Sequence, residues 1–245
     1  MSFVFLEETT STNDVARDPS YGCGDVICAE YQSAGRGQRG HRWSSRRGEN
    51  LMFSLVLTPE FIPVERQFLL SQMVTLSLVE TLAVYGIDAT VKWTNDIYAG
   101  DRKICGMLIE NDLGHGLFSR AIVGIGLNVN QREFDPELPN PTSMVRQTGR
   151  EYDRRSVLQA FYDRFMRMYE TVRRDFSAAE RIAQEYNGRL YRLGERHPFR
   201  LPDGTVFGGV IRGVEPAGGL LVEHPDGACR SYLFKEIEFV IAGRE

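Results

Sequence analysis

One segment limits the folds open to this chain more than any other, because it is spaced by glycine and by arginine at once. Residues 29–43 read Ala-Glu-Tyr-Gln-Ser-Ala-Gly-Arg-Gly-Gln-Arg-Gly-His-Arg-Trp, with Gly35, Gly37 and Gly40 set among Arg36, Arg39 and Arg42. Glycine admits positive φ and lets the backbone approach a ligand closely. Successive amide N–H groups in such a turn form an anion nest, and guanidinium forks match phosphate or carboxylate. The segment reads as a holder of a polyanionic small molecule or, with equal weight when taken alone, as a solvated basic loop. Apolar strands at residues 25–31 and 51–57 lead into and out of it. The loop is therefore slung between two strands, where binding groups collect.

The arginine cluster runs against the average of the chain. Net charge is −4, so nothing draws the whole surface toward nucleic acid or an anionic membrane. A length of 245 residues suits one large domain, or one domain and a small companion. Cys23, Cys28, Cys105 and Cys229 show no CxxC pair and no Cys/His ligand spacing, so free thiols in a reducing compartment are expected. Residues 1–10 carry Glu7 and Glu8 without a basic n-region, and no later stretch reads as long enough to span a membrane. The expectation is a cytoplasmic protein without a signal peptide. No helix-turn-helix precedes the first strand, so no DNA-reading module is expected at the N-terminus.

Residues 3–6 form a short strand that leads into Thr9-Thr10-Ser11-Thr12-Asn13-Asp14, a run with more polar groups than one helix cap needs. Residues 63–85 carry an apolar stripe of helical period, Phe68, Met73, Leu76, Val79 and Leu82, with Gly86 as the stop. Strands are expected at 90–93, 97–98, 103–110 and 119–130, with residues 99–102 as a hairpin turn. Gly124 and Gly126 fall on one face of the last strand. They mark either a patch left bare for a ligand or a tight packing contact, and packing is the better reading alone. Residues 134–148 read as a proline-bearing loop. Asp153 caps a helix with Val157, Phe161, Phe165, Tyr169 and Val172 inward, and Ser177-Ala178-Ala179-Glu180 reads as a capping box. From 193 onward, short strands split by Pro202-Asp203-Gly204, Ala217-Gly218-Gly219 and Pro225-Asp226-Gly227 indicate a small β unit of about five strands. The expected domains are residues 1–189 and 190–245.

Polar clusters recur at strand ends: Ser11-Thr12-Asn13, the glycine–arginine loop, Lys92-Trp93-Thr94-Asn95-Asp96, Lys103 with Gly106, and Asn128. Lys103 opens an otherwise apolar strand, where a buried cation is costly without an anion. No Ser/His/Asp order and no metal triad is evident; Asp14, Asp96 and Glu110 form no obvious acid/base pair. What remains is an anion site with several cations and no nucleophile. Such a site suits phosphoryl or nucleotidyl transfer by positioning and charge neutralisation.

The loop 29–43 resembles the signature of biotin protein ligases. Lys92-Trp93-Thr94-Asn95-Asp96 is similar to their Lys-Trp-Pro-Asn-Asp segment, residues 102–110 to the lysine–glycine strand after it, and residues 124–130 to Gly-x-Gly-x-Asn-Val. Ser11-Thr12-Asn13 and Pro141-Thr142-Ser143-Met144 also fit, and the motifs fall in family order. The resemblance implies an α+β fold: a mixed sheet flanked by helices, related to class II aminoacyl-tRNA synthetases, with a C-terminal SH3-like β-barrel. It implies ATP and biotin as substrates, Mg²⁺ with the ATP phosphates, and biotinyl-5′-AMP as intermediate. The acceptor it implies is a lysine of a biotin carboxyl carrier protein, of acetyl-CoA carboxylase or a related carboxylase.

Carried onto this chain, the resemblance assigns biotin binding to Ser11, Thr12, Asn13, Gln32, Gly35, Arg36, Lys103, Gly106, Gly124 and Gly126. It assigns adenylate binding to Arg36, Gln38, Arg39, His41, Trp43, Asn95, Lys103 and Asn128, with Trp43 stacked near the adenine. Lys103, Arg36 and Arg39 carry the catalytic charge, and no metal ligand is assigned. Gln38 and His41 stand where many members have arginine, and Thr94 replaces a proline. The alternatives are a lipoate or octanoate ligase, whose Arg-Arg-x-Ser-Gly-Gly-Gly type loop is absent, a biotin-sensing repressor, and a binding module without catalysis. A homodimer through an exposed strand edge is left open.

Overall fold

The computed structural model describes residues 2–40, 42–114 and 117–241. Its elements, in chain order, are β1 (Phe3–Leu6), α1 (Thr12–Val15), β2 (Val26–Ala29), β3 (Leu51–Leu57), α2 (Phe68–Val84), β4 (Thr90–Lys92), β5 (Asp96–Ala99), β6 (Arg102–Gly114), β7 (Leu117–Leu127), α3 (Met144–Thr148), α4 (Arg154–Arg174), α5 (Ala178–Gly188), β8 (Arg196–Arg200), β9 (Val206–Val214), β10 (Leu220–Glu223), β11 (Cys229–Tyr232) and β12 (Glu238–Phe239).

Seven strands form one mixed sheet in the order β1-β2-β3-β7-β6-β5-β4, parallel only between β1 and β2. Alternation along the strands divides the core. Val26 and Cys28, Leu55 and Leu57, and Val123 and Ile125 join the main cluster with α2, α4 and α5. Ile27, Val56 and Ile122 point the other way and pack with Ala16 and Val15 behind α1. A period of two thus gives the sheet one thickly covered face and one covered only by a single helical turn and loops. The thin face also carries Ser54, Gly106, Glu110, Gly124 and Gly126.

The second sheet is antiparallel, in the order β11-β10-β9-β8-β12, as expected of the C-terminal β unit. It is fixed to the first by Trp93, whose indole N–H donates to the Gly218 carbonyl at 2.9 Å and whose ring meets Phe234 edge-on. Tyr191 and Arg192 both engage Asp101, on the turn between β5 and β6.

Four local expectations are corrected. Ser177 is itself helical and makes no side-chain cap bond; the Asp175 carboxylate accepts its N–H instead, so there is no capping box. The loop at 134–148 ends in α3, where Ser143 accepts from the Arg146 N–H and Gly149 closes in the left-handed region. Ser11 precedes a helix of only four residues and makes no cap bond. Finally, Val64–Val84 is long and apolar enough to cross a membrane by length and composition. It is instead a core helix, with Met73, Val74 and Leu82 fully shielded against the sheet and α4.

Candidate active site

The glycine–arginine loop is a pinched hairpin. The Trp43 N–H donates to the Gly35 carbonyl at 2.9 Å, and Arg36 bridges to Arg42. A Cβ on Gly35 would stand 2.5 Å from the Trp43 carbonyl oxygen, so glycine there closes the neck of the loop. Gly35 is not among the residues that line the cavity beneath the loop. Among the described residues of this loop, only Gly40 has positive φ, 81°, within the short 3₁₀ turn Gln38–Gly40.

The loop folds over the thin face of the sheet and roofs a cavity of about 470 Å³. Of the expected site residues, Ser11, Thr12, Asn13, Gln32, Arg36, Gln38, Trp43, Asn95, Lys103, Gly106, Gly124, Gly126 and Asn128 all line it. The side chain of Arg39, and all of His41, lie outside the described residues.

Above the glycine strand the structure differs from the expectation. The resemblance leaves Gly124 and Gly126 under a ligand and sends Trp43 to an adenine. Here Asn13 sits on Gly124, where a Cβ would come within 2.9 Å of its Cγ. Trp43 lies over Gly126, where a Cβ would be 2.6 Å from its Nε1. The absence of side chains is used by the protein's own residues. Asn13 of α1 packs on Gly124 and Trp43 on Gly126, and both glycines still line the cavity. The Trp43 indole N–H is buried and has no hydrogen-bond partner among the described residues.

Two cations of the cavity, Lys103 and Arg36, are balanced by anions. Lys103 Nζ stands 2.6 Å from Asp96 Oδ1, with the lysine side chain one-third exposed, so the cost of placing it at the head of an apolar strand is offset by ion pairing. The same ammonium lies 5.7 Å from the centre of the Trp43 ring. Arg36 contacts Asp14 at 2.7 Å and Glu110 at 3.3 Å, and Arg17 also reaches Glu110, at 3.2 Å. Lys92 stands over the rings of Tyr98 and Phe239 and lines the cavity as well. Incoming anionic groups therefore compete with carboxylates already in place. No cluster of three or more His, Cys, Asp or Glu suited to a metal occurs among the described residues.

The amides are equally committed. Asn95 donates to the Met107 carbonyl at 2.6 Å, and buried Asn128 to the Thr142 carbonyl at 2.9 Å. The Trp93–Thr94 peptide, where the resembled motif has proline, is cis. Lys103 is gripped through its backbone: its N–H donates to the Asn140 carbonyl and its carbonyl accepts from Thr142. Residues that the sequence reading missed come from far along the chain. Leu138 and Pro139 sit on the wall beside Lys103's clamp, and Phe234 and Glu238 reach in from the second sheet. No local pattern marks them. Glu110 is the last residue of the resembled strand, and its contacts to Asn13, Arg17 and Arg36 come from elsewhere in the chain.

The fold and site together are a mixed sheet with its helices on one face and a glycine-floored cavity on the thinly covered other. Residues 4–128 match the biotin/lipoate A/B protein ligase family. The chain belongs to that family. It is similar over 97% of its length, and 97% of the other chain, to the structure of biotin protein ligase from Aquifex aeolicus in complex with biotin and ATP, with a TM-score of 0.81 and 28% identity. It is 30% identical over 233 residues to the biotin–[acetyl-CoA-carboxylase] ligase of Paracoccus denitrificans, covering 91% of this chain and 94% of that one. It is also 30% identical over 214 residues to the bifunctional ligase/repressor BirA of Bacillus spizizenii; the match takes in 85% of this chain but spans 64% of BirA's length.

Proposed function

We propose that this protein is an ATP-dependent, AMP-forming biotin–[acetyl-CoA-carboxylase] ligase. The observation that carries the reading is the order of groups along one glycine-floored cavity. Asn13 stands on Gly124 with Thr12 and Gln32 hydrogen-bonded in the same cluster, and the Lys103 ammonium stands by Gly106, which is paired with Gly126. A bicyclic urea with a carboxylate tail has the same polarity from end to end. The relatives from Paracoccus and Aquifex, each covered over more than nine-tenths of its length, support the same assignment.

In the first step a biotin carboxylate oxygen attacks the α-phosphorus of ATP, the bond to pyrophosphate breaks, and biotinyl-5′-AMP forms. Both reactants are anions. Lys103 offsets their repulsion once Asp96 yields it to the substrates, and Arg36, held by Asp14 and Glu110, adds positive charge to the cavity wall. ATP enters as its magnesium complex. One carboxylate beside substrate phosphates is a common setting for this ion, and Asp96 on the wall fits it. In the second step a carrier lysine amine attacks the acyl carbon, the bond to AMP breaks and the amine gives up a proton. The anhydride is already activated, so the protein supplies alignment and exclusion of water.

The test is biotin-dependent ATP–pyrophosphate exchange, followed by transfer to a biotin carboxyl carrier protein, with lipoate as control. Exchange that answers to lipoate and not to biotin would replace this reading with the lipoate ligase; exchange with neither would leave a binding module.

A further inference from the structure

A hydrogen-bonded chain leads from Glu110, outside the neutral end of the cavity, to the hydroxyl of Thr12 on its wall. Asn13 Nδ2 donates to Glu110 Oε2 at 2.7 Å. Ser54 Oγ lies 2.6 Å from Asn13 Oδ1 and 2.7 Å from Thr12 Oγ1. Ser54, Asn13 and Thr12 are 0%, 3% and 3% exposed, so water does not compete for these groups.

The donor–acceptor inventory permits one arrangement. The Glu110 carboxylate, flanked by the guanidinium groups of Arg17 and Arg36, only accepts. Asn13 must therefore turn its NH₂ toward Glu110 and its carbonyl oxygen toward Ser54. That oxygen only accepts, so the single Ser54 proton goes to it. The short contact between Ser54 and Thr12 then needs the Thr12 proton. Thr12 spends its proton on Ser54 and can offer the cavity nothing but lone pairs. Beside it, Gln32 Oε1 accepts from the Thr12 backbone N–H at 2.6 Å, leaving the Gln32 NH₂ as what that side chain offers a ligand.

We propose that Glu110 and Ser54 are positioning residues that fix Thr12 as an acceptor, so that the site selects a ligand edge with an N–H donor beside a carbonyl, as in a cyclic urea. The proposal rests on the biotin reading and extends it to two residues that touch no substrate. Gly124 belongs to the same device, because any larger residue would push Asn13 out of the chain.

The experiment compares binding of biotin with binding of its two cyclic carbamate isosteres, in which one or the other urea N–H is replaced by oxygen, by titration calorimetry. One isostere sets an acceptor against the Thr12 lone pairs. The wild type is expected to bind that isostere at least about 30-fold more weakly than biotin, within the range for an unpaired buried acceptor. In Ser54→Ala the Thr12 hydroxyl is free to rotate, and the ratio falls to within about threefold. In Glu110→Gln the Asn13 amide is free to flip, and the ratio falls in the same direction. A stability role alone would weaken all three ligands alike and leave the ratio unmoved. An unmoved ratio in Ser54→Ala, or a wild-type ratio near one for both isosteres, overturns this inference while leaving the ligase reading intact. Failure of the wild type to bind biotin overturns both. Should Ser54→Ala not fold, Glu110→Gln carries the same readout.

Discussion

Trp43 lies on Gly126, its Nε1 at 2.6 Å from where a Cβ of that residue would stand. The loop that roofs the cavity is thus seated on the strand that floors it through one indole and one missing side chain. Gly126→Ala forces the ring off its seat, and we expect it to cost about 1–3 kcal/mol of stability, the range for overpacking a filled site. In a Trp43→Ala background the same change should cost less by about 1 kcal/mol or more, because contacting residues couple. Denaturant unfolding of the four proteins checks this; additive costs would show that the two residues are independent.

Lys103 is expected to be indispensable for adenylate formation. Lys103→Ala leaves Asp96 on the cavity wall without its cation and removes the charge that would face the two anionic reactants. We expect pyrophosphate exchange to fall by about 10²–10³-fold, in line with loss of a preorganised charge, with the far-ultraviolet spectrum unchanged. Near-normal exchange would remove Lys103 from the reaction.

Gln38 lies on the cavity wall with its Oε1 buried and unpartnered among the described residues. It donates hydrogen bonds but carries no charge toward an adenylate phosphate. Gln38→Arg should slow escape of biotinyl-5′-AMP by about tenfold, a charge-assisted hydrogen bond being the stronger kind. Escape rates measured by trapping the released adenylate decide the matter, and equal rates would refute it.

The join between the two sheets is expected to loosen in Trp93→Phe. The substitution keeps the ring but removes the donor to the Gly218 carbonyl. An unsatisfied buried acceptor costs about 1–3 kcal/mol, which should appear as a lowered unfolding midpoint. An unchanged midpoint would mean that the carbonyl finds another donor.

Cys28 carries a pH prediction. Burial pushes its thiol up to about 11, above the ordinary thiol range. The neutral form is favoured in the folded state, so this stabilisation is complete below about pH 9 and is lost as the pH rises toward 11. At pH 8.5, iodoacetamide should label the exposed Cys23 and Cys229 and spare Cys28 and Cys105 in the folded protein. Mass spectrometry counts the adducts; four on the native protein would contradict the burial.

Much of the molecule follows from local pattern. Short apolar runs at Val26–Ala29, Leu51–Leu57 and Leu117–Leu127 specify strands, because a strand covered on both faces needs apolar side chains at both parities. Asp153 announces α4 because its carboxylate needs only the Ser156 N–H three residues on. Ser177 misleads because the Asp175 carboxylate, two residues earlier, accepts the Ser177 N–H that Glu180 would take in a capping box. The motif residues, read in order, give the family and most of the cavity wall.

Other features were decided by the tertiary structure alone. Asn13 and Glu110 are 97 positions apart, and Trp93 and Gly218 are 125 apart; neither pairing leaves a trace in local periodicity. The sequence determined that two glycines would stand on one face of β7. It could not determine that Asn13 and Trp43 would fill the space above them, that Asp96 would hold Lys103, or that Phe234 and Glu238 would complete the wall. Period and turn chemistry act over a few bonds, whereas which side chain occupies a gap depends on every strand and loop that closes around it.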